Sequence, residues 1–581
     1  MMLIFKQVFL ATAAILCLAL SGCATLSTSK DSTAQTETTD QTGTPETASK
    51  EITRPFDRET LYDLLVAEFA GKRNRADVAL GKYLKQAHKS RDPAVTARAT
   101  RIARYLGAHQ AALDSAILWM EIEPDNLEAK EVAATELIRF GQMDRAINLL
   151  EELLAANAEV NFEFLLRGLQ GADADRRAHV LNRLNDLLQR HPDNAQLWFT
   201  KGAIEQVDKR WESALNSFSK ALEANPQYTN AILAKAKQLV SLGRDQEALQ
   251  FAQQATRDYP KNKRIGLTYA RMLISAQQFI AAQGEFGRLA ALYPNDPDLI
   301  LSLALISWEN KLTDNAKVQL NRLLSMRQRE SEAHTYLGRI AASEKDFTAA
   351  IEHFAKVGRG PQYAQARIQL ALLYGDMGEW VNAHNVLVIA REEMPDQSAR
   401  FYLAESEILS RQGKTQEAVD LLSLALKEHP EDTGILYTRA MLLEQLDQYE
   451  QMESDLRKIL SHEPNNTAAL NALGYTFADR NERLEEAALL IEKAYELDPN
   501  DPAIIDSMGW IRYRLGDTES ALSYLRKAYE AFQDQEIAAH LGEVLWVIGR
   551  EQEAAQVWTE ALKDNPDSET LKRVMDRFIK P

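Results

Sequence analysis

Residues 202–226, GAIEQVDKRWESALNSFSKALEANP, carry a spacing that decides the fold. Gly202 is followed after twelve residues by Ala214, and then by Phe218, Ala221 and Pro226. The ladder returns thirty-four residues on as Ala236, Ala248, Ala252, Ala255 and Pro260, and again as Ala270, Ala282, Phe286, Leu289 and Pro294. It recurs as Ala371, Ala383, Leu387, Ala390 and Pro395, and near the end as Gly542, Ala554, Trp558, Ala561 and Pro566. One inserted residue precedes Ala487, Ile491, Ala494 and Pro499.

The spacing has a physical cause. A small residue on one helix lets a second helix pack antiparallel against it, with its own alanine facing the gap. Gly243, Gly378, Gly516 and Gly549 mark the turns between the two. The apolar residues four and three positions further on continue the buried stripe, and the proline ends the second helix because it lacks an N–H and clashes with the preceding turn. Asp and Asn after the proline then offer N-caps for the next helix. One such hairpin cannot bury its apolar faces alone, so neighbours must stack into a continuous core closed by caps.

The ladder resembles the tetratricopeptide repeat and covers nearly all of the chain after residue 58. The resemblance implies an all-α fold, an α-solenoid coiled into a right-handed superhelix of about fifteen helical hairpins. Residues 59–194 are expected to hold divergent repeats and 195–568 the regular array. Residues 569–581 are expected to form a capping helix, covering the last repeat with Leu571, Val574, Met575 and Phe578. The ladder is poorest near 160–194 and 331–362, and GRGPQY at 358–363 breaks it.

The N-terminus reads differently. MMLIFK and an apolar run of about a dozen residues have the size of a signal-peptide core, too short for a bilayer span. The run ends in Leu20-Ser21-Gly22-Cys23, which resembles the bacterial lipobox. The resemblance implies cleavage after residue 22, lipidation of Cys23 and, with Ala24 next, sorting to the periplasmic side of the outer membrane. An ordinary secretory signal with a chance cysteine is the alternative. Residues 23–58 are Ser, Thr, Gln, Asp and Glu with few large apolar side chains, the composition of a disordered tether. Its coil reach is roughly 30 Å.

Cys17 and Cys23 are the two cysteines, so a mature chain would hold no disulfide, cysteine nucleophile or thiolate metal site. No phosphate-binding glycine loop, HExxH or Gly-x-Ser-x-Gly is present, and the ten histidines are scattered. Ser27 to Lys30 spells Ser-x-x-Lys, but within the tether. Paired acids such as Glu392-Glu393 and Glu485-Glu486 read as solvated helix faces. No enzyme, cofactor or metal is therefore expected. The net charge of −17 opposes nucleic-acid binding, which needs clustered cations, and predicts neutral or basic protein partners.

In tetratricopeptide arrays the first helix of each pair lines the concave surface, with residues three before and one or four after the small residue facing it. That places Phe199, Trp308, Tyr402, Tyr437, Tyr475, Trp510, Tyr513 and Trp546 as partner-binding candidates, with Leu233, Leu301, Leu305 and Phe199 among the apolar positions. Trp510 and Tyr513, in DSMGWIRYRLG, stand out because Trp and Tyr are frequent hot-spot side chains. The same positions can equally serve as core between repeats. A lipid-anchored protein built almost wholly of these repeats resembles the LbcA-type adaptors, with an NlpI-like role, that hold a carboxyl-terminal processing protease and its peptidoglycan-hydrolase substrates together. The competing expectation is an assembly scaffold for polysaccharide export, a pilus secretin or outer-membrane protein insertion.

Overall fold

The computed structural model describes residues 56–579. The expected signal segment 1–22, the lipidation candidate Cys23 and the tether up to residue 55 lie outside the described residues. Among the described residues there are thirty-one α-helices, one short 3-10 turn and no strand. Thirteen consecutive pairs of them pack as hairpins, two between Arg58 and Ile122 and eleven between Ala195 and Asp564, and one terminal helix, Glu569–Phe578, follows.

The hairpins form because the ladder positions are where helices meet. Ala214, Ala248, Ala282, Ala350, Ala383, Ala418, Ala487, Ala521 and Ala554 are all buried. Their partners are small for lack of room. A Cβ on Gly202 would lie 2.7 Å from the Phe218 ring, one on Gly338 2.9 Å from Phe354, and one on Gly509 2.5 Å from Leu525. At Gly542 it would overlap the Trp558 indole. The turns follow the same logic. Gly243, Gly378, Gly516 and Gly549 have φ between +72° and +87°, where side chains are strained. Other hairpins place Lys209, Gln277, Lys311 or Asn481 there at φ of 56° to 61°.

Helix starts are capped as the sequence implies. Asn194, Asn262, Asp296, Asp432, Asn466 and Asp501 each accept a hydrogen bond from a backbone N–H of the first turn. Such caps contribute about 1 kcal/mol each.

The described residues divide into two compact units, one ending at Glu136 and the other beginning at Leu137. The sequence places its change in regularity later, at 194. In the first unit, Arg58–Lys72 begins at the Asp57 N-cap and packs on Ala76–Ser90, where Lys82, Lys85 and Gln86 surround the buried Asp63 carboxylate. The second unit opens on Met143–Ala155 and then departs from the ladder. Its next first helix has shrunk to Phe164–Gly168, and its partner Ala174–Arg190 is long. At the other irregular stretch, Phe347–Ala355 is short and 356–362 leads to Tyr363–Asp376.

At the C-terminal end Ser568 caps the last helix, Leu571 and Val574 are buried, and Met575 and Phe578 pack against the core that holds Trp558. No described helix is long and apolar enough to cross a membrane.

Candidate partner-binding face

Within residues 195–564, first helices of successive hairpins lie against one another at several places. Ala195–Val207 meets Thr229–Ser241, Thr467–Asp479 meets Pro502–Arg514, and Pro502–Arg514 meets Gln535–Val547. Second helices of neighbouring hairpins make no comparable contact there. The first helices therefore occupy the tighter, inner side of the stack, and the three side-chain columns flanking the small residue belong to it. Lys263–Ser275, Pro297–Glu309 and Glu330–Ser343 approach each other less closely than the C-terminal first helices do.

At the C-terminal end the inner face closes on itself. Trp510 is only 3% exposed. His540, one hairpin on, stacks over its indole with centroids 4.0 Å apart, and Arg514 lies 4.5 Å from the ring on its own helix. Tyr475, one hairpin back, reaches across to the hairpin after, donating its hydroxyl to Glu536 at 2.6 Å with its ring 5.9 Å from that of His540. His540 Nδ1 meets Asp506 Oδ2 at 2.9 Å inside the buried core. Burial pushes the His540 pKa down, but Asp506, with Glu536 and Asp479 behind it, outweighs that and leaves it raised. Burial, then Glu536 and Asp479, hold the Tyr475 hydroxyl well above its ordinary value. Burial also raises the Glu444 carboxyl, although Thr476 donates to it at 3.0 Å.

The remaining C-terminal candidates are engaged as well. The Tyr513 hydroxyl donates to Glu543 at 3.2 Å, and Trp546 stacks on Trp558 at 5.8 Å beside Phe578. Tyr437 is half-buried against the core cluster that holds Trp510, and burial raises its pKa. Tyr402 is buried, bonded to Glu428 and covered by the Arg391 guanidinium at 4.3 Å. Phe199 is covered from the N-terminal side. Leu166 and Tyr228 pack on its cluster, while Glu163 accepts hydrogen bonds from Tyr228 and Asn230.

Trp308 stands apart. It is half-buried on Pro297–Glu309, with Tyr336 edge-on to it at 6.1 Å and 74°. The Arg339 guanidinium lies 5.0 Å from the Trp308 centroid and 5.5 Å from that of Tyr336. Tyr336 and Arg339 escaped the sequence reading, which sought aromatics in three columns; Arg339 occupies one of those columns, directly after Gly338. One further pairing arises only in space. His334 and His353, on the two helices of one hairpin, bring their Nδ1 atoms to 3.0 Å, and burial lowers both pKa values. Among the described residues no group of three side chains is placed to hold a metal ion.

Comparison with known proteins agrees with the ladder. Tetratricopeptide repeat family models match residues 208–272, 314–364, 437–502 and 507–569. The match at 314–364 includes much of a stretch where the spacing is poor, and there Gly338 still receives Phe354. The "TPR repeat-containing protein PA4667" of Pseudomonas aeruginosa is 40% identical over 488 residues, covering 84% of this chain and 82% of that protein. The "Cellulose synthase operon protein C" of Pseudomonas fluorescens is 23% identical over 64% of this chain and 27% of its own length. Among solved structures, that of Naa15/Naa10 bound to HypK-THB aligns over 90% of this chain and 94% of its own, at 11% identity and a TM-score of 0.37.

Proposed function

This chain belongs to the tetratricopeptide repeat family, and from that premise we propose that it is a non-catalytic scaffold whose first-helix face holds protein partners, acting as an adaptor at the cell envelope. The observation that carries the reading is the half-buried Trp308, Tyr336 and Arg339 cluster on that face, composed of the residue types that dominate protein-binding hot spots. The signal-like run and Leu20-Ser21-Gly22-Cys23 support lipid anchoring at Cys23 and an outer-membrane, periplasm-facing location. More than one acyl chain would make such attachment stable. The partners we propose are a carboxyl-terminal processing protease and cell-wall hydrolases brought together on one body, where shared attachment raises their effective concentration.

Crosslinking in intact cells followed by mass spectrometry tests this reading. Recovery of a protease and a hydrolase, with the purified repeat protein accelerating hydrolase degradation while inactive alone, is the expected result. Recovery of export or pilus components instead would favour an assembly scaffold, a reading supported by similarity to a protein named for a cellulose synthase operon. Wild-type protein free of acyl label would overturn the anchor.

A further inference from the structure

The hairpin of Glu330–Ser343 and Phe347–Ala355 is fixed by the ladder, with Gly338 receiving Phe354 and Ala350 buried. His334 stands one turn before Gly338 and His353 directly before Phe354, so the helix crossing itself sets the two imidazoles against each other. The same two positions elsewhere hold apolar pairs. Ile232 packs in one cluster with Phe251, Leu470 with Leu490, and Ile505 with Tyr524. Two polar rings have replaced that packing in this hairpin alone among these four.

Their geometry is close to that of adjacent ligands on one ion. Nδ1 lies 3.0 Å from Nδ1, with ring centroids 5.3 Å apart and planes at 40°. Nitrogens bound at about 2.0 to 2.1 Å around a tetrahedral centre lie about 3.3 Å apart, so a slight opening admits the ion. Without an ion, one Nδ1 must donate and the other accept. Neither ring has another hydrogen-bond partner among the described residues. Burial lowers both pKa values, so the rings are neutral at pH 7 and carry the lone pairs that coordination needs. Lys356, the nearby cation, is engaged by Glu352 at 2.6 Å. The exposed Glu330 carboxylate, one turn before His334, makes no hydrogen bond or ion pair among the described residues and adds favourable charge.

We infer that His334 and His353 form a chelating pair for one divalent first-row transition ion, held through the two Nδ1 atoms with water completing its coordination. Imidazole suits zinc, nickel and copper, and copper(II) binds most tightly of these at a given site. Two protein ligands fall short of the four of a structural zinc site, so the ion is exchangeable. It ties the two helices of the hairpin together just before residues 356–362 leave the ladder. The inference is independent of the scaffold reading.

The test titrates the full chain, purified without a histidine tag, with copper(II) and separately with zinc(II). One ion should bind per chain, and the copper(II) electron paramagnetic resonance spectrum should show coupling to two imidazole nitrogens. His334→Gln and His353→Gln should each weaken binding about tenfold or more, while His462→Gln, on another hairpin, should leave it unchanged. Zinc should slow hydrogen exchange in 330–355. His334→Ile with His353→Phe installs the pair found at 232 and 251; it should keep the wild-type unfolding midpoint or raise it, yet lose the ion, which separates lost coordination from lost folding. Binding that survives in this variant, or coupling to a single nitrogen, overturns the inference. So does a chain that retains neither ion at micromolar concentration, which would make the pair a hydrogen bond and nothing more.

Discussion

Two stretches of first helices, Lys263–Ser343 and Thr467–Val547, are built on the same period and use it in opposite ways. In the C-terminal stretch the residue after the small position is Tyr475, Trp510 or Glu543, and each finds a partner on the first helix of a hairpin one or two places away. In the middle stretch it is Arg271, Leu305 or Arg339, and the cations find no carboxylate among the described residues. Three side-chain columns thus decide whether an inner face seals or stays available, while the ladder that makes the hairpins is unchanged.

Four substitutions would break or sharpen that contrast. The largest effect should come from Trp510→Ala, which empties a site stacked under His540 and should cost about 3 to 5 kcal/mol. Denaturant unfolding measures the loss, and hydrogen exchange should locate it in 467–547; a cost near zero would mean that the face there is open. Next, Ala282→Leu should cost about 1 to 3 kcal/mol by overpacking a buried helix crossing. Faster exchange should be confined to adjacent hairpins, and uniform loosening from end to end would contradict nearest-neighbour stacking.

A smaller effect concerns pH. With its folded pKa raised, His540 contributes stability that is fully present below its unfolded value near 6.5 and is lost as pH rises through the folded value. Unfolding midpoints taken across that interval should fall for wild type, and His540→Gln should flatten this component. An unchanged slope would detach His540 from the closure. The smallest effect on stability should be that of Arg339→Ala, about 0.5 to 1 kcal/mol, the size of a partly exposed cation–ring contact. If it destabilises as strongly as Trp510→Ala, the middle stretch is core too.

The hairpins were legible in sequence because each ladder residue answers to a local constraint. Gly542 faces Trp558, Gly243 needs a positive φ, and Asp501 caps its helix, all within about one repeat. Which inner aromatics remain available was not legible, because what covers them arrives from elsewhere. Tyr475 reaches His540 across sixty-five residues, and Glu163 reaches Tyr228 across the same separation, from the helix that has shrunk to Phe164–Gly168. No periodicity of thirty-four residues predicts a contact that skips a repeat. Tyr336 and Arg339 were missed for a different reason: a cation at a groove position has no ring to attract notice, although its lack of a carboxylate neighbour in the columns was readable.

The looser approach of first helices between Lys263 and Ser343 also has a mechanical meaning. A body stacked hairpin on hairpin transmits tension through its interfaces in series, and elongation begins where adjoining units share the least contact. Under tension the hairpin junctions between Lys263 and Ser343 would yield before those between Thr467 and Val547, and the spacing between Arg271 and Arg339 would register the load.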